Sequence, residues 1–280
     1  MHQFNKILIG VAFSPNLEEN IFEASRLSNM FNAQLVCVHV GNKTTEKEAK
    51  LQQIFEKGPK TTKDIKLVFQ DGNPVNVILN TCTKEQIDLL ILGALQKENI
   101  YKYYVGSIAR TLTRKAPCSV LLLIKHSKVR IPCKNIVVNG LKDPKTEETI
   151  RTSFYISQAL RCPKITIVEE VKQEAVHTKV SDDISLRRAS IEKQRITTRE
   201  DLRVREILDH ITPELKKNIE LRTQSIFGRR GYSIGHYARV IRADLLVMNA
   251  PRKTRLLDRI FPHDIEYILS ELPTDVLIVK

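Results

Sequence analysis

IDLLILGALQKENIYKYYVGSIARTLTRKAPCSVLLLIK, residues 87–125, decides the fold. Residues 89–92 form an unbroken apolar run closed by Gly93, the pattern of a strand buried on both faces of a parallel sheet. A polar loop then closes at Gly106 and Ser107. Ile108, Ala109 and Leu112 follow at helical spacing, with Arg110, Arg114 and Lys115 on the other face and in the last turn, and Pro117 stops the helix. Residues 119–124 are a second apolar strand. The order is strand, glycine-bounded loop, helix, strand. Such a loop lets backbone N–H groups approach a phosphate, and the helix N-terminus adds its positive dipole end, with the Ser107 hydroxyl as a further donor. The same glycines also suit a loop that simply ends a strand and starts a helix, so spacing alone leaves both readings open.

The stretch before it alternates in the same way. KILIGVA at 6–12 is a strand, and AFSPN turns it into a helix with Leu17, Ile21, Ala24, Leu27 and Phe31 on one stripe. AQLVCVHV at 33–40 is the next strand. A charged helix over about 44–57, a strand at 65–70 and a helix opened by Gly72-Asn73-Pro74 lead to Asp88. This alternation predicts a parallel sheet with helices on both faces.

After a connection at 126–133 the pattern restarts: a strand at 135–139, a helix at 146–160 and a strand at 164–168. Residues 172–195 are charged and poor in large apolar side chains, which predicts a long excursion or a partly disordered segment. Thr197 and Glu200 offer a capping box for an amphipathic helix, followed by a strand near 221–227 and a helix at 232–242. The close of the chain, ADLLVMNAPRKTRLLDRIFPHDIEYILSELPTDVLIVK, repeats the opening stretch: Asp88 and Asp244, and Pro117 and Pro273, both stand 156 apart. Ile7 and Ile136 stand 129 apart, so about 27 residues entered the second copy. Gly93, Gly106 and Ser107 correspond to Asn249, Pro262 and His263. Pro262 lacks a backbone donor, so the second loop is expected not to hold a phosphate in the same way. Arg252, Lys253 and Arg255 in that loop either attract an anion or are a solvated basic face.

The 280 residues suit two domains, 1–127 and 132–280, the second carrying the insertion near 172–195. No apolar run approaches the length of a membrane span, and MHQFNKILIGVAF has no basic leader ahead of a cleavable apolar segment, so a cytoplasmic chain is expected. Cys37, Cys82, Cys118, Cys133 and Cys162 form no CxxC pair and read as free thiols. The histidines show no metal-ligand spacing. A formal net charge of +13 with no nucleic-acid motif reads as a basic surface, with an anionic membrane as a conceivable partner and no specific nucleic acid.

KILIGVAFSPN, AQLVCVHV, IDLLILG, VGSIA and APCSVLLL, in this order, resemble the universal stress protein family in its tandem form. The resemblance implies two tandem open five-stranded parallel sheets, order 3-2-1-4-5, with helices on both faces, pairing as a pseudo-dimer through their last strands. It implies an ATP or other adenine-nucleotide site at Ala12, Phe13, Ser14, Val40, Leu92, Gly93, Gln96, Gly106, Ser107 and Ile108. The family's motif is G-x2-G-x9-G-[ST] with an acidic residue ending the first strand. Here Ala12 replaces the acid and Gln96 the middle glycine. Each change is expected to cost about 1–3 kcal/mol, enough together to move a micromolar site to millimolar.

The resemblance thus implies a non-enzymatic cytosolic regulatory protein with one degenerate pocket, self-associating through its domains. Two alternatives stay open: a soluble regulatory domain or partner of a membrane transporter, and a weak nucleotide hydrolase. Asp88 and Asp244 sit at strand starts, away from ligand sites in such sheets, and are expected to be structural. Arg187-Arg188-Ala189-Ser190 resembles a basophilic kinase site. Tyr101, Tyr103 and Tyr104 either cover a base or hold the loop against the partner domain.

Overall fold

The structure, a computed structural model, describes residues 3–96, 103–124, 127–250 and 264–280. The first half runs β1 (Lys6–Gly10), α1 (Leu17–Phe31), β2 (Gln34–Val40), α2 (Thr45–Lys57), β3 (Lys66–Gln70), α3 (Pro74–Lys84), β4 (Leu89–Gly93), the short strands β5 (Leu95–Gln96) and β6 (Tyr103–Tyr104), α4 (Ser107–Lys115) and β7 (Ser119–Leu123). The second runs β8 (Ile136–Asn139), α5 (Thr146–Leu160), β9 (Lys164–Lys172), α6 (Asp183–Asp209), α7 (Pro213–Lys216), β10 (Glu220–Gly228), α8 (Tyr232–Val240), β11 (Leu245–Asn249), α9 (Asp264–Ser270) and β12 (Asp275–Val279). Local chemistry sets the boundaries. The Thr44 side chain caps α2 by accepting from Lys47 N, and Asn73 caps α3 with Pro74 at its first position.

The strands make one continuous sheet in the order β10-β9-β8-β11-β12-β7-β4-β1-β2-β3. Each half keeps the expected order 3-2-1-4-5, but the two sheets are fused rather than separate. β7 and β12 pair antiparallel, Val276 opposite Leu122 and Ile278 opposite Val120, so neither last strand is left as an edge. One face is covered by α1, α2, α5 and α6 through Leu17, Ile21, Leu51, Ile54, Ile150, Phe154 and Val204; the other by α3, α4, α8 and α9 through Ile78, Leu112, Ile234, Ile265 and Ile268.

The duplication is visible in small devices. Asn32 and Arg161, 129 apart, end α1 and α5 in the left-handed region (φ 52° and 56°). One turn back, Ser28 Oγ donates to Ala33 O at 2.7 Å and Ser157 Oγ to Cys162 O at 2.7 Å. Asp88 Oδ2 accepts from Asn5 N and Lys6 N, both at 2.9 Å, while Asp244 Oδ2 accepts from Lys134 N at 2.8 Å and Asn135 N at 3.2 Å. Each aspartate therefore anchors the entry of its half's first strand, which is the structural role expected. Asp88→Ala leaves two strand-entry N–H groups without that acceptor, and chemical denaturation is expected to show a loss of about 2 kcal/mol. A variant as stable as the parent would remove the anchor from the account.

Two expectations are corrected. Residues 172–195 are neither a long excursion nor disordered: after a 3-10 turn at Gln173–Ala175 they enter α6, a 27-residue helix capped reciprocally by Asp182 and Ser185. The Thr197–Glu200 capping box is not a helix start, because Thr197 lies in the middle of α6. The misreading has a cause: only Ala189, Ile196, Val204 and Leu208 of α6 are buried, a stripe too sparse to announce a helix in so charged a segment.

Candidate functional site

A cleft of about 720 Å³ opens at the carboxyl ends of β1, β2 and β4, where the strand order reverses and open α/β sheets bind ligands. Ala12, Phe13, Ser14, Val40, Leu92, Gly93, Gly106, Ser107 and Ile108 all line it. The tenth expected residue, Gln96, lies in β5, which pairs with β6 (Leu95 opposite Tyr104, Gln96 opposite Tyr103). Gly106 is the N-cap of α4 in extended conformation, and a Cβ there would meet Leu95 Cδ1 at 3.0 Å. The Leu95 side chain thus lies over the loop. Besides backbone, the polar groups of the lining among the described residues are Ser14, Asn16, Asn20, His39 and Ser107.

His39 was not anticipated from sequence. It precedes Val40 in β2, and its Nδ1 lies 2.9 Å from Val11 O. A carbonyl only accepts, so Nδ1 carries a proton and donates it to Val11 O. The ring stands edge-on to Phe13 (5.0 Å) and Phe69 (5.8 Å), closing the β2 side of the cleft with aromatic surface. The signal was present, since alternation along β2 puts His39 on the face opposite Val38 and Val40.

The second half takes a different course at the same place. Register shows where: Ile7 pairs with Leu35 and Ile136 with Ile165, so the repeat offset grows from 129 to 130 by β9, and Val40 corresponds to Glu170. The Glu170 carboxylate accepts from Gly231 N (3.0 Å) and Ile234 N (2.8 Å), capping α8 from inside the fold. Gly231 has φ 77°, a conformation that glycine tolerates. Glu169, at the His39 position, accepts from Ser225 Oγ at 2.9 Å through Oε2, while its buried Oε1 has no hydrogen-bond partner among the described residues; burial pushes its carboxyl up to about 7. Asn249 replaces Gly93 and donates to Thr146 Oγ1 at 3.1 Å. Arg203 of α6 donates to Gly140 O beside it. Protein carboxylates and an amide thus stand where the first half leaves open space. Pro262, His263, Arg252, Lys253 and Arg255 lie outside the described residues.

Tyr103 joins the second half through backbone: Leu272 N donates to Tyr103 O and Val105 N to Leu269 O, both at 3.0 Å. The loop is therefore held against the other half, one of the two expected roles; Tyr101 lies outside the described residues. Ser190 sits on α6, its hydroxyl donating to Leu186 O at 2.9 Å. None of the five cysteines is in a disulfide. Among the described residues no group of three metal-ligating side chains converges, and no helix is long and apolar enough to cross a membrane.

Residues 41–123 match the family described as Universal stress protein family. None of the curated proteins matches the chain. Among solved structures, a universal stress protein from Archaeoglobus fulgidus DSM 4304 is similar over 100% of this chain and 97% of its own, with 14% identity and a TM-score of 0.68. A functionally unknown protein from Pseudomonas aeruginosa PAO1 (15% identity, 100% and 93% covered, TM-score 0.66) and a putative universal stress protein from Pseudomonas aeruginosa UCBPP-PA14 (15%, 100% and 94%, TM-score 0.64) share the fold over the same length.

Proposed function

We propose, for a chain whose residues 41–123 carry a universal stress protein domain and whose second half repeats that fold, that it is a cytoplasmic regulatory protein reading one adenine nucleotide through its first half. The observation that carries this is the 720 Å³ cleft at the strand-order reversal, with Gly93 and the Gly106–Ser107 start of α4 on one side and Ala12 and Val40 on the other. Its volume suits a nucleotide. A phosphate meets backbone N–H groups at the start of α4, and the base meets the apolar β1–β2 side. The site is weak because Ala12 offers no acceptor to ribose or base and because Leu95 lies over the phosphate loop.

Binding without turnover is the reading favoured by the lining, which among the described residues contains no Asp, Glu, Lys or Arg. Nothing charged in it would orient a water or offset charge developing on a phosphoryl group. Free thiols throughout suit a reducing compartment.

Calorimetry of the full chain with ATP, ADP and AMP is expected to give one nucleotide per chain, with Kd between about a micromolar and a millimolar. Gly106→Val places a branched side chain in the loop and is expected to weaken binding by at least about tenfold. Two sites per chain, or an unaffected Gly106→Val variant, would overturn the proposal. A phosphate-release assay is expected to give no signal above that of a Ser107→Ala control.

A further inference from the structure

The two ends of the cleft differ in a way that specifies the nucleotide, an inference that rests on the adenine-nucleotide reading above. At the β4 end, Leu95 lies over Gly106, and the pairing of β5 with β6 ties the start and close of the loop together. An apolar side chain stands at the phosphate end, and among the described residues the lining holds no lysine or arginine to offset the charges of a triphosphate. One phosphate on the start of α4 is what that end accommodates.

The β2 end is cationic at its rim. Lys47 and Lys50 stand three residues apart on α2 and so share a helix face. Lys50 Nζ is 5.5 Å from the centroid of Phe13, which lines the cleft. Lys47 Nζ donates to Asn42 O at 3.1 Å and lies 3.6 Å from where a Cβ on Gly41 would stand, beside His39 Nε2. Among the described residues neither lysine is in an ion pair, whereas neighbouring Lys43 pairs with Glu48 at 2.9 Å. An acidic residue at position 12 would repel an anion brought here; alanine does not. The logic is that by which dinucleotide sites choose between a ribose hydroxyl and a ribose phosphate, an acid for one and a base for the other.

We propose that the first-half cleft takes a nucleoside bisphosphate, one phosphate on the 5′ side at Gly106–Ser107 and the other on the ribose 2′ or 3′ side facing Lys47 and Lys50. The loss of the acid at Ala12 is then a change of ligand rather than decay.

The test is calorimetry of the full chain with adenosine 3′,5′-bisphosphate, AMP and ATP, with circular dichroism to show that each variant is folded. The bisphosphate is expected to bind at least about tenfold tighter than AMP and tighter than ATP. In Lys47→Ala/Lys50→Ala the ratio of bisphosphate to AMP affinity is expected to collapse toward one, and in Ala12→Asp to fall as well. If AMP binds and the bisphosphate binds no tighter, or if the ratio survives in the double lysine variant, this inference is wrong while the nucleotide site stands. If none of the three nucleotides binds the folded chain, both readings fail.

Discussion

Glu266→Arg is expected to destabilise the chain by about 4 kcal/mol, because it turns a carboxylate held between two arginines into a third cation. Arg110 Nη1 lies 2.5 Å from Glu266 Oε2, and Arg114 Nη2 and Nε lie 2.5 and 3.0 Å from Oε1. Glu266 is 16% exposed and Arg110 30%, so water screens this pair only in part; Arg114, at 52%, contributes less. Arg110 and Glu266 stand 156 apart and are therefore the same position in the two copies. Around the β7–β12 junction each faces the other. Two copies of the first half joined the same way would set Arg110 against Arg110, so this contact favours pairing of unlike halves and opposes pairing of like ones. The exchanged variant, Arg110→Glu with Glu266→Arg, is expected to recover at least half of the loss in chemical denaturation. If it is no more stable than Glu266→Arg alone, the pair does not choose the partner and the loss comes from packing.

This contact also shows where a sequence stops being legible. The parallel sheet and the two halves are legible in the apolar runs and the repeat offsets, because burial on both faces of a parallel strand leaves a mark in every residue of it, whereas the strand order and the cleft residues are what the family resemblance implies. Arg110 reads only as a residue of the polar face of its helix, and Glu266 gives no signal at all, since a charge carries no sign of its partner until the fold sets two helices side by side. The part of α6 before Thr197 is not legible for the related reason that a helix touching the core through four residues leaves little periodic trace. Glu170 was hidden differently. A one-residue shift between α5 and β9, invisible in the 129 and 156 offsets taken alone, is what aligns it with Val40.

The second large effect concerns Glu169, the carboxylate that replaces His39 and sits 2% exposed. Its carboxyl is raised from 4.5 to about 7, by burial first; Ser225 and the Arg203 charge pull it down, while Asp201 and Glu200 push it up. In the unfolded chain it loses its proton near pH 4.5; in the folded chain it keeps it until about pH 7. Between these values the folded state binds more protons, so stability falls as pH rises. The contribution is fully present below pH 4.5, is lost through about pH 7 and is level above, a change of about 3 kcal/mol. Glu169→Gln keeps an oxygen for Ser225 and never ionises. Denaturation at pH 5 and pH 8 is therefore expected to show a parent that weakens by about 3 kcal/mol and a variant whose loss is smaller by nearly that amount. Equal slopes in the two proteins would mean that Glu169 is already ionised at pH 5 and that Arg203, not burial, governs it. The expected result would instead mark the second half's counterpart of the His39 position as a place where an acid is held neutral inside the sheet, beside the Glu170 carboxylate that accepts from the backbone at the start of α8.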